Sequence, residues 1–185
     1  MRIITGTLKG RKIPVPPTGL LRPTSDRTKE GLFSALSSRI YFENRTVLDL
    51  FAGSGNLGFE AISRGVASVV FVDSEPEHLK HIEKLAQSFD IVDQVETVAA
   101  RVEDYLDRNK ESSFDIIFAD PPYDYFELAD LPGKILVNNM LNKDGFFVLE
   151  HDKRHDFASH SNCVYTKPYG RTIVSIFQPK SNETN

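Results

Sequence analysis

Two rhythms of apolar residues alternate along this chain. Short runs at 46–51, 68–73, 95–99, 114–119 and 146–150 are mostly hydrophobic and rich in Val, Ile, Leu and Phe, the pattern of strands buried on both faces. Between them, at 57–64, 76–89, 102–109 and 128–139, apolar residues recur every three or four positions, which predicts helices. Such alternation predicts a parallel sheet covered on both sides. The rhythm changes at the two ends. Residues 2–5 and 11–15 predict a small hairpin through Gly6 to Gly10, and Pro14, Pro16, Pro17 and Gly19 predict a loop after it. Leu32, Phe33, Leu36 and Ile40 then predict a helix from Asp26 to about Ile40 that packs on the sheet and anchors the preceding arm. Near the C-terminus, 163–167 and 172–177 flank Pro168-Tyr169-Gly170-Arg171, a hairpin signal. The expected fold is α/β: a mostly parallel seven-stranded sheet with a C-terminal antiparallel hairpin. Residues 1–40 are read as an N-terminal extension packed on the same domain, 41–179 as the main domain and 180–185 as a disordered polar tail.

Composition narrows the class. With 185 residues, 40% of them hydrophobic and 26% charged, the chain suits one soluble domain. The single Cys163 excludes an internal disulfide and points to a reducing compartment. There is no signal peptide and no run of membrane-spanning length, so a cytoplasmic protein with no membrane partner is expected. The net charge of −4 conceals an asymmetry. Residues 1–30 hold seven basic residues against two acidic ones, a net +5, which leaves −9 for the rest. A basic arm on an acidic body predicts phosphate contact by the arm, through Arg2, Lys9, Arg11, Lys12, Arg22, Thr24 and Arg27. His78 and His81 share a helix face without a third ligand, and His151, His155 and His160 sit among acidic residues. All five are read as solvated, and no metal is expected.

Three motifs carry the chemistry. Asp120-Pro121-Pro122-Tyr123 follows the apolar run 114–119. The prolines stop the strand and fix the backbone, holding a carboxylate, a carbonyl and an aromatic ring at a strand's C-terminal end, where open α/β sheets bind ligands. The carboxylate and carbonyl can both accept from an exocyclic NH2 group while the ring stacks on the base that carries it. A Pro-Pro turn with a capping Asp would use the same residues. The second motif is Gly53-Ser54-Gly55-Asn56-Leu57-Gly58, between a strand and a helix as a G-x-G-x-x-G turn requires. Asp49, just before it, would repel a pyrophosphate but suits the ammonium and sulfonium of S-adenosylmethionine. Third, Asp73 ends the next strand, placed to accept from ribose hydroxyls while Ser74 is free to cap the following helix. Phe51, Gly53, Ser54, Gly55, Gly58 and Ser74 complete this expected cofactor site.

Through these motifs and the segments that flank them, the sequence resembles the bacterial 16S ribosomal RNA guanine-N2 methyltransferases of the RsmD type. The resemblance rests on Gly10-Arg11-Lys12, Pro14-Val15-Pro16, Arg22-Pro23-Thr24 with Asp26-Arg27, Leu32-Phe33, and Asp49 through Gly55. It continues through Leu57-Gly58, Glu60-Ala61, Ser63-Arg64-Gly65, Asp120 through Tyr123, and Tyr169-Gly170 before a strand. It implies a Rossmann-like class I S-adenosylmethionine-dependent methyltransferase fold, with ribosomal RNA as substrate, within a small-subunit particle, and a monomeric enzyme. One position departs from the pattern. Arg101 stands where these enzymes place an Asp or Asn toward the adenine amine, and Arg has no acceptor. Backbone groups near Arg101 and Val102 are expected to hold the adenine instead.

In the expected reaction Asp120 and the Pro121 carbonyl accept the guanine N2 hydrogens, Asp120 takes the proton, and Tyr123 stacks on a flipped base. Two rivals are an adenine-N6 methyltransferase on DNA or RNA and a non-catalytic RNA-binding assembly factor. The interval from Gly58 to Asp120 leaves no room for the large recognition insertion usual in the DNA enzymes.

Overall fold

The computed structural model describes residues 1–16 and 25–180. Arg22 and Thr24, and residues 181–185 of the expected tail, lie outside the described residues. The order of elements is α1 (Asp26–Ser37), β1 (Thr46–Leu50), α2 (Asn56–Ser63), β2 (Ser68–Asp73), α3 (Pro76–Phe89), β3 (Val95–Ala99), α4 (Val102–Arg108), β4 (Phe114–Ala119), α5 (Leu131–Val137), β5 (Leu141–His151), β6 (Cys163–Tyr169) and β7 (Thr172–Phe177). The seven strands form one sheet in the order β3-β2-β1-β4-β5-β7-β6. β1 to β5 run parallel, and β7 pairs antiparallel with both β5 and β6.

Strand parity sorts the apolar residues into two layers. Val47, Val69, Phe71, Ile116, Phe118 and Val148 face α1, α2 and α3, while Leu48, Leu50, Val72, Ile117, Ala119 and Leu149 face α4 and α5. Because both faces are covered, the strands read as continuous apolar runs. Departures from the expected boundaries have local causes. α1 stops at Ser37 because Ser37 Oγ donates to the Phe33 carbonyl and both Ser38 Oγ and Arg39 donate to that of Ala35, satisfying the last turn. α5 starts at Leu131, with Pro132 in its first turn, where a missing N–H costs nothing. β6 continues through Pro168 to Tyr169 because it is an edge strand, where a ladder donor can be spared. β5 begins earlier than expected, and its irregular start is tied to β4 by Asn142 Nδ2 donating to Asp115 Oδ1 at 3.1 Å.

The N-terminal hairpin forms as a single antiparallel bridge, Arg2 to Lys12, with Ile3, Leu8 and Ile13 buried beneath it. It docks on α2 through polar contacts. Glu60, fully buried, accepts from the backbone N–H groups of Ile4 (2.8 Å) and Thr5 (3.1 Å), from Arg64, and pairs with Lys29 Nζ of α1 at 3.3 Å. Ser63 Oγ accepts from Leu8 N at 2.9 Å and donates to the Thr5 carbonyl. Gly6 approaches so closely that a Cβ there would stand 1.6 Å from the Ser63 carbonyl oxygen, at φ +91°, so this contact admits only glycine. Lys29, counted above with the basic arm, is therefore a buried structural cation rather than a phosphate ligand. No helix among the described residues is long and apolar enough to cross a membrane.

Removing Glu60 would leave Lys29 buried without its counter-charge. Glu60→Ala is expected to destabilise the fold by about 3–5 kcal/mol. Replacing Lys29 and Glu60 together by Met and Leu should recover only the part due to the stranded Lys29 charge, because Ile4 N–H, Thr5 N–H and Arg64 still lose their acceptor. Denaturant unfolding of the wild type and the two variants checks both; a Glu60→Ala variant as stable as wild type would show that the pair does not anchor the arm.

Candidate active site

The C-terminal ends of β1, β2 and β4 open into one cavity of about 860 Å³. Of the expected cofactor residues, Asp49, Phe51, Gly53, Ser54, Asp73, Ser74, Arg101 and Val102 line it, as do Asp120, Pro121, Pro122 and Tyr123. Gly55 and Gly58 do not. Gly58 works behind the wall: its N–H donates to Asp49 Oδ2 at 2.9 Å, and a Cβ there would stand 2.2 Å from the Phe71 ring. The glycine lets α2 lie against the sheet, and its amide fixes the Asp49 carboxylate. Burial pushes Asp49 well above the ordinary carboxylate range. The Gly58 N–H opposes this, while Asp120 and Asp73 raise it further.

Asp73 is already partly engaged. Oδ2 accepts from Gly53 N and Oδ1 from Glu75 N, both at 2.8 Å, and His78 Nδ1 lies 3.2 Å from Oδ2. The cap role expected of Ser74 is not met: α3 starts at Pro76, its N-cap Glu75 makes no side-chain cap, and Asp73 Oδ1 accepts only from the N–H of Glu75 itself. A carboxylate has about four lone-pair sites, so Asp73 keeps accepting capacity on the cavity side. Phe51 leaves β1 at φ 57°, a left-handed conformation that costs a non-glycine residue about 1–3 kcal/mol and recurs at functional sites. Its ring meets Tyr125 edge-on at 4.9 Å between centroids.

Asp120 follows β4, and Pro121 is buried behind it. The Pro122 carbonyl accepts from Tyr125 N at 2.9 Å, which folds the segment back over the cavity. Tyr123 stands at the rim, 46% exposed. Arg154, itself paired with Asp152, donates to the Tyr123 carbonyl and lies 5.9 Å from the Tyr123 ring centroid. Arg101 turns its guanidinium to Glu103 at 3.3 Å. Among the arm residues, Lys9, Arg11, Lys12 and Arg27 are exposed and lie outside the cavity, and Arg2 pairs with Asp26 at 3.1 Å.

Two of the histidines expected to be solvated, His78 and His151, are buried. His78 packs beside Asp73, and His151, with Nε2 2.8 Å from Ser175 Oγ, stacks edge-on against Phe157. Burial lowers the His151 pKa. The end of β5, Glu150-His151, and the exposed ring of Phe126 also line the cavity. The position of Glu150 just past a run of apolar residues, like that of Asp120, is the signal that could have found it.

The family described as conserved hypothetical protein 95 matches residues 1–178. A Haemophilus influenzae protein named ribosomal RNA small subunit methyltransferase D is 35% identical over 178 residues, covering 95% of this chain and 91% of that one. The chain belongs to the RsmD-type methyltransferase family. The RsmD-type architecture extends to solved structures. One from Haemophilus influenzae has 31% identity and a TM-score of 0.79 over 96% of this chain and 97% of the other. One from Escherichia coli has 27% identity and a TM-score of 0.82 over 97% and 99%. As an RsmD-type methyltransferase the chain carries an intact Asp-Pro-Pro-Tyr segment and glycine turn on the edge where its fold places ligands.

Asp49 gives this site a measurable pH signature. Its folded pKa lies above the unfolded value near 3.8, so the native state holds the proton more tightly. Its stabilising contribution is complete below that value and is lost as pH rises through the raised midpoint. In Asp49→Asn, which keeps an acceptor for Gly58 N–H, that loss is expected to vanish. Thermal melts of both ligand-free proteins across the acid range check this; parallel stability curves would mean that Asp49 ionises normally.

Proposed function

We propose that this chain transfers a methyl group from S-adenosylmethionine to the exocyclic N2 of a guanine in 16S ribosomal RNA. The observation that carries the reading is the convergence of Asp49, Asp73 and Asp120 on one cavity in an RsmD-type chain. The wall fits this cofactor. Asp49 suits a cationic amino-acid end and Asp73 suits ribose hydroxyls, and the carboxylates of Asp49, Asp73 and Asp120 on one wall would repel a pyrophosphate. When bound, S-adenosylmethionine supplies a methyl group on a sulfonium that is already an activated leaving group.

The residues of the chain then have three tasks. A guanine amine is a poor nucleophile because its lone pair is delocalised into the ring. Asp120 and the Pro121 carbonyl accept its two hydrogens, which favours a tetrahedral nitrogen, and Asp120 removes the proton as the new bond forms. The rigid Pro-Pro backbone holds both acceptors in place, so positioning supplies much of the rate. Tyr123, with its carbonyl and ring both against Arg154, offers a face on which a flipped base stacks. The exposed arm cations Lys9, Arg11 and Lys12 bind phosphate outside the cavity.

Asp120→Ala is expected to keep S-adenosylmethionine affinity and lose about 10²–10⁴-fold in single-turnover methylation. Tyr123→Ala should be slow, and Tyr123→Phe should retain activity, because stacking needs the ring alone. Nucleoside mass spectrometry of ribosomal RNA from cells with and without the protein tests the product. Loss of N2-methylguanosine is expected, and loss of a methyladenosine instead would overturn the guanine assignment.

Replacing Lys9, Arg11 and Lys12 by Ala should weaken RNA binding and lower the slope of log affinity against log salt by about two to three. Cofactor affinity should not change. An unaltered salt slope would show that the arm does not meet phosphate.

A further inference from the structure

Asn56, the first residue of α2, holds a group that nothing above uses. Its side-chain Oδ1 accepts from Lys29 Nζ at 2.8 Å. Lys29 has three donors and no acceptor, so this contact decides which end of the amide faces it. The NH2 end must point away from Lys29. That Nδ2 is buried and has no partner among the described residues, and Asn56, only 6% exposed, is part of the cavity wall. Leaving a buried donor unmade is costly, and native structures keep such groups where something else supplies the acceptor.

The position of Asn56 in the fold identifies that acceptor. β2 and β4 flank β1, so Asp73 and Asp120 stand on opposite sides of the β1–α2 turn. With ribose at Asp73 and the methyl group directed toward Asp120, the amino-acid end of the cofactor lies over the turn from which Asn56 projects. That end carries an ammonium, matched by Asp49, and a carboxylate, its one strong acceptor. We propose that Asn56, oriented by the buried Lys29, is the donor that binds the carboxylate of S-adenosylmethionine. The assignment rests on the reading of the cavity as the S-adenosylmethionine site.

Lys29 is the positioning residue. Its ammonium is itself fixed by the Arg2 carbonyl at 2.6 Å and by Glu60 at 3.3 Å, so it cannot swing away and release the amide. Its charge also polarises the amide, which strengthens the outward N–H as a donor.

Calorimetric titration of the full chain with S-adenosylmethionine and with its decarboxylated form, which keeps the nucleoside, sulfonium and ammonium, isolates the contact. Asn56→Ala is expected to weaken S-adenosylmethionine binding about 10- to 100-fold and to change binding of the decarboxylated form by less than about twofold. Asn56→Asp, which sets one carboxylate against another, should weaken S-adenosylmethionine more than Asn56→Ala does and leave the decarboxylated form bound at least as tightly as in wild type. Equal losses for both ligands, or no loss for either, would overturn the assignment while leaving the cofactor reading intact. A wild-type protein that binds neither ligand would overturn the cofactor reading itself.

Discussion

The ammonium of Lys29, on α1, has three acceptors in two other parts of the chain: the Arg2 carbonyl in the arm, and Asn56 Oδ1 and Glu60 on α2. Burying an ammonium and a carboxylate together is favourable only if nearly all their hydrogen-bonding capacity is met. Here that condition fixes α1, α2 and the N-terminal strand relative to one another, because none can shift without stranding a charge. The base of the arm is therefore locked onto α1 and α2. Its exposed cations are presented from a rigid base.

The edge of the sheet that opens into the cavity obeys a different constraint. Asp49, Asp73 and Asp120 share one cavity, and burial, with the charges of Asp120 and Asp73 added, holds Asp49 toward its neutral form. Backbone amides offset part of the cost: Gly58 N–H serves Asp49, and Gly53 and Glu75 N–H serve Asp73. These bonds also join the β1–α2 turn to the end of β2. The three carboxyl groups thus line the cavity on a backbone that is already fixed, so the polar wall is preorganised.

The strands were legible because double-sided burial writes a continuous apolar run, and the glycine turn because a strand precedes it and a helix follows. The Asp-Pro-Pro-Tyr segment was legible because its prolines end a strand by their own chemistry. What stayed hidden was pairing at a distance. Glu60 and Asn56 look like ordinary helix residues, since the arm contacts that give them their roles lie 27 to 56 positions away in the sequence. His78 and His151 read as surface residues in the sequence because their neighbours in the chain are polar, whereas their neighbours in space are the end of β2 and the ring of Phe157. Pro168 reads as a strand breaker until the topology shows it on the outermost strand.

That outermost strand also bears on how this molecule behaves among its own kind. A sheet edge is a ladder of unused donors and acceptors on which a strand of another molecule can grow. In β6 the rung at Pro168 has no N–H to offer, and the neighbouring Lys167 would have to give up water for any strand that approached. At the opposite border β3 is only five residues long and carries Glu96 at its exposed second position. Both open borders of the sheet are thus poor templates, which protects a chain with this much buried β-structure from fibril-like growth at high concentration.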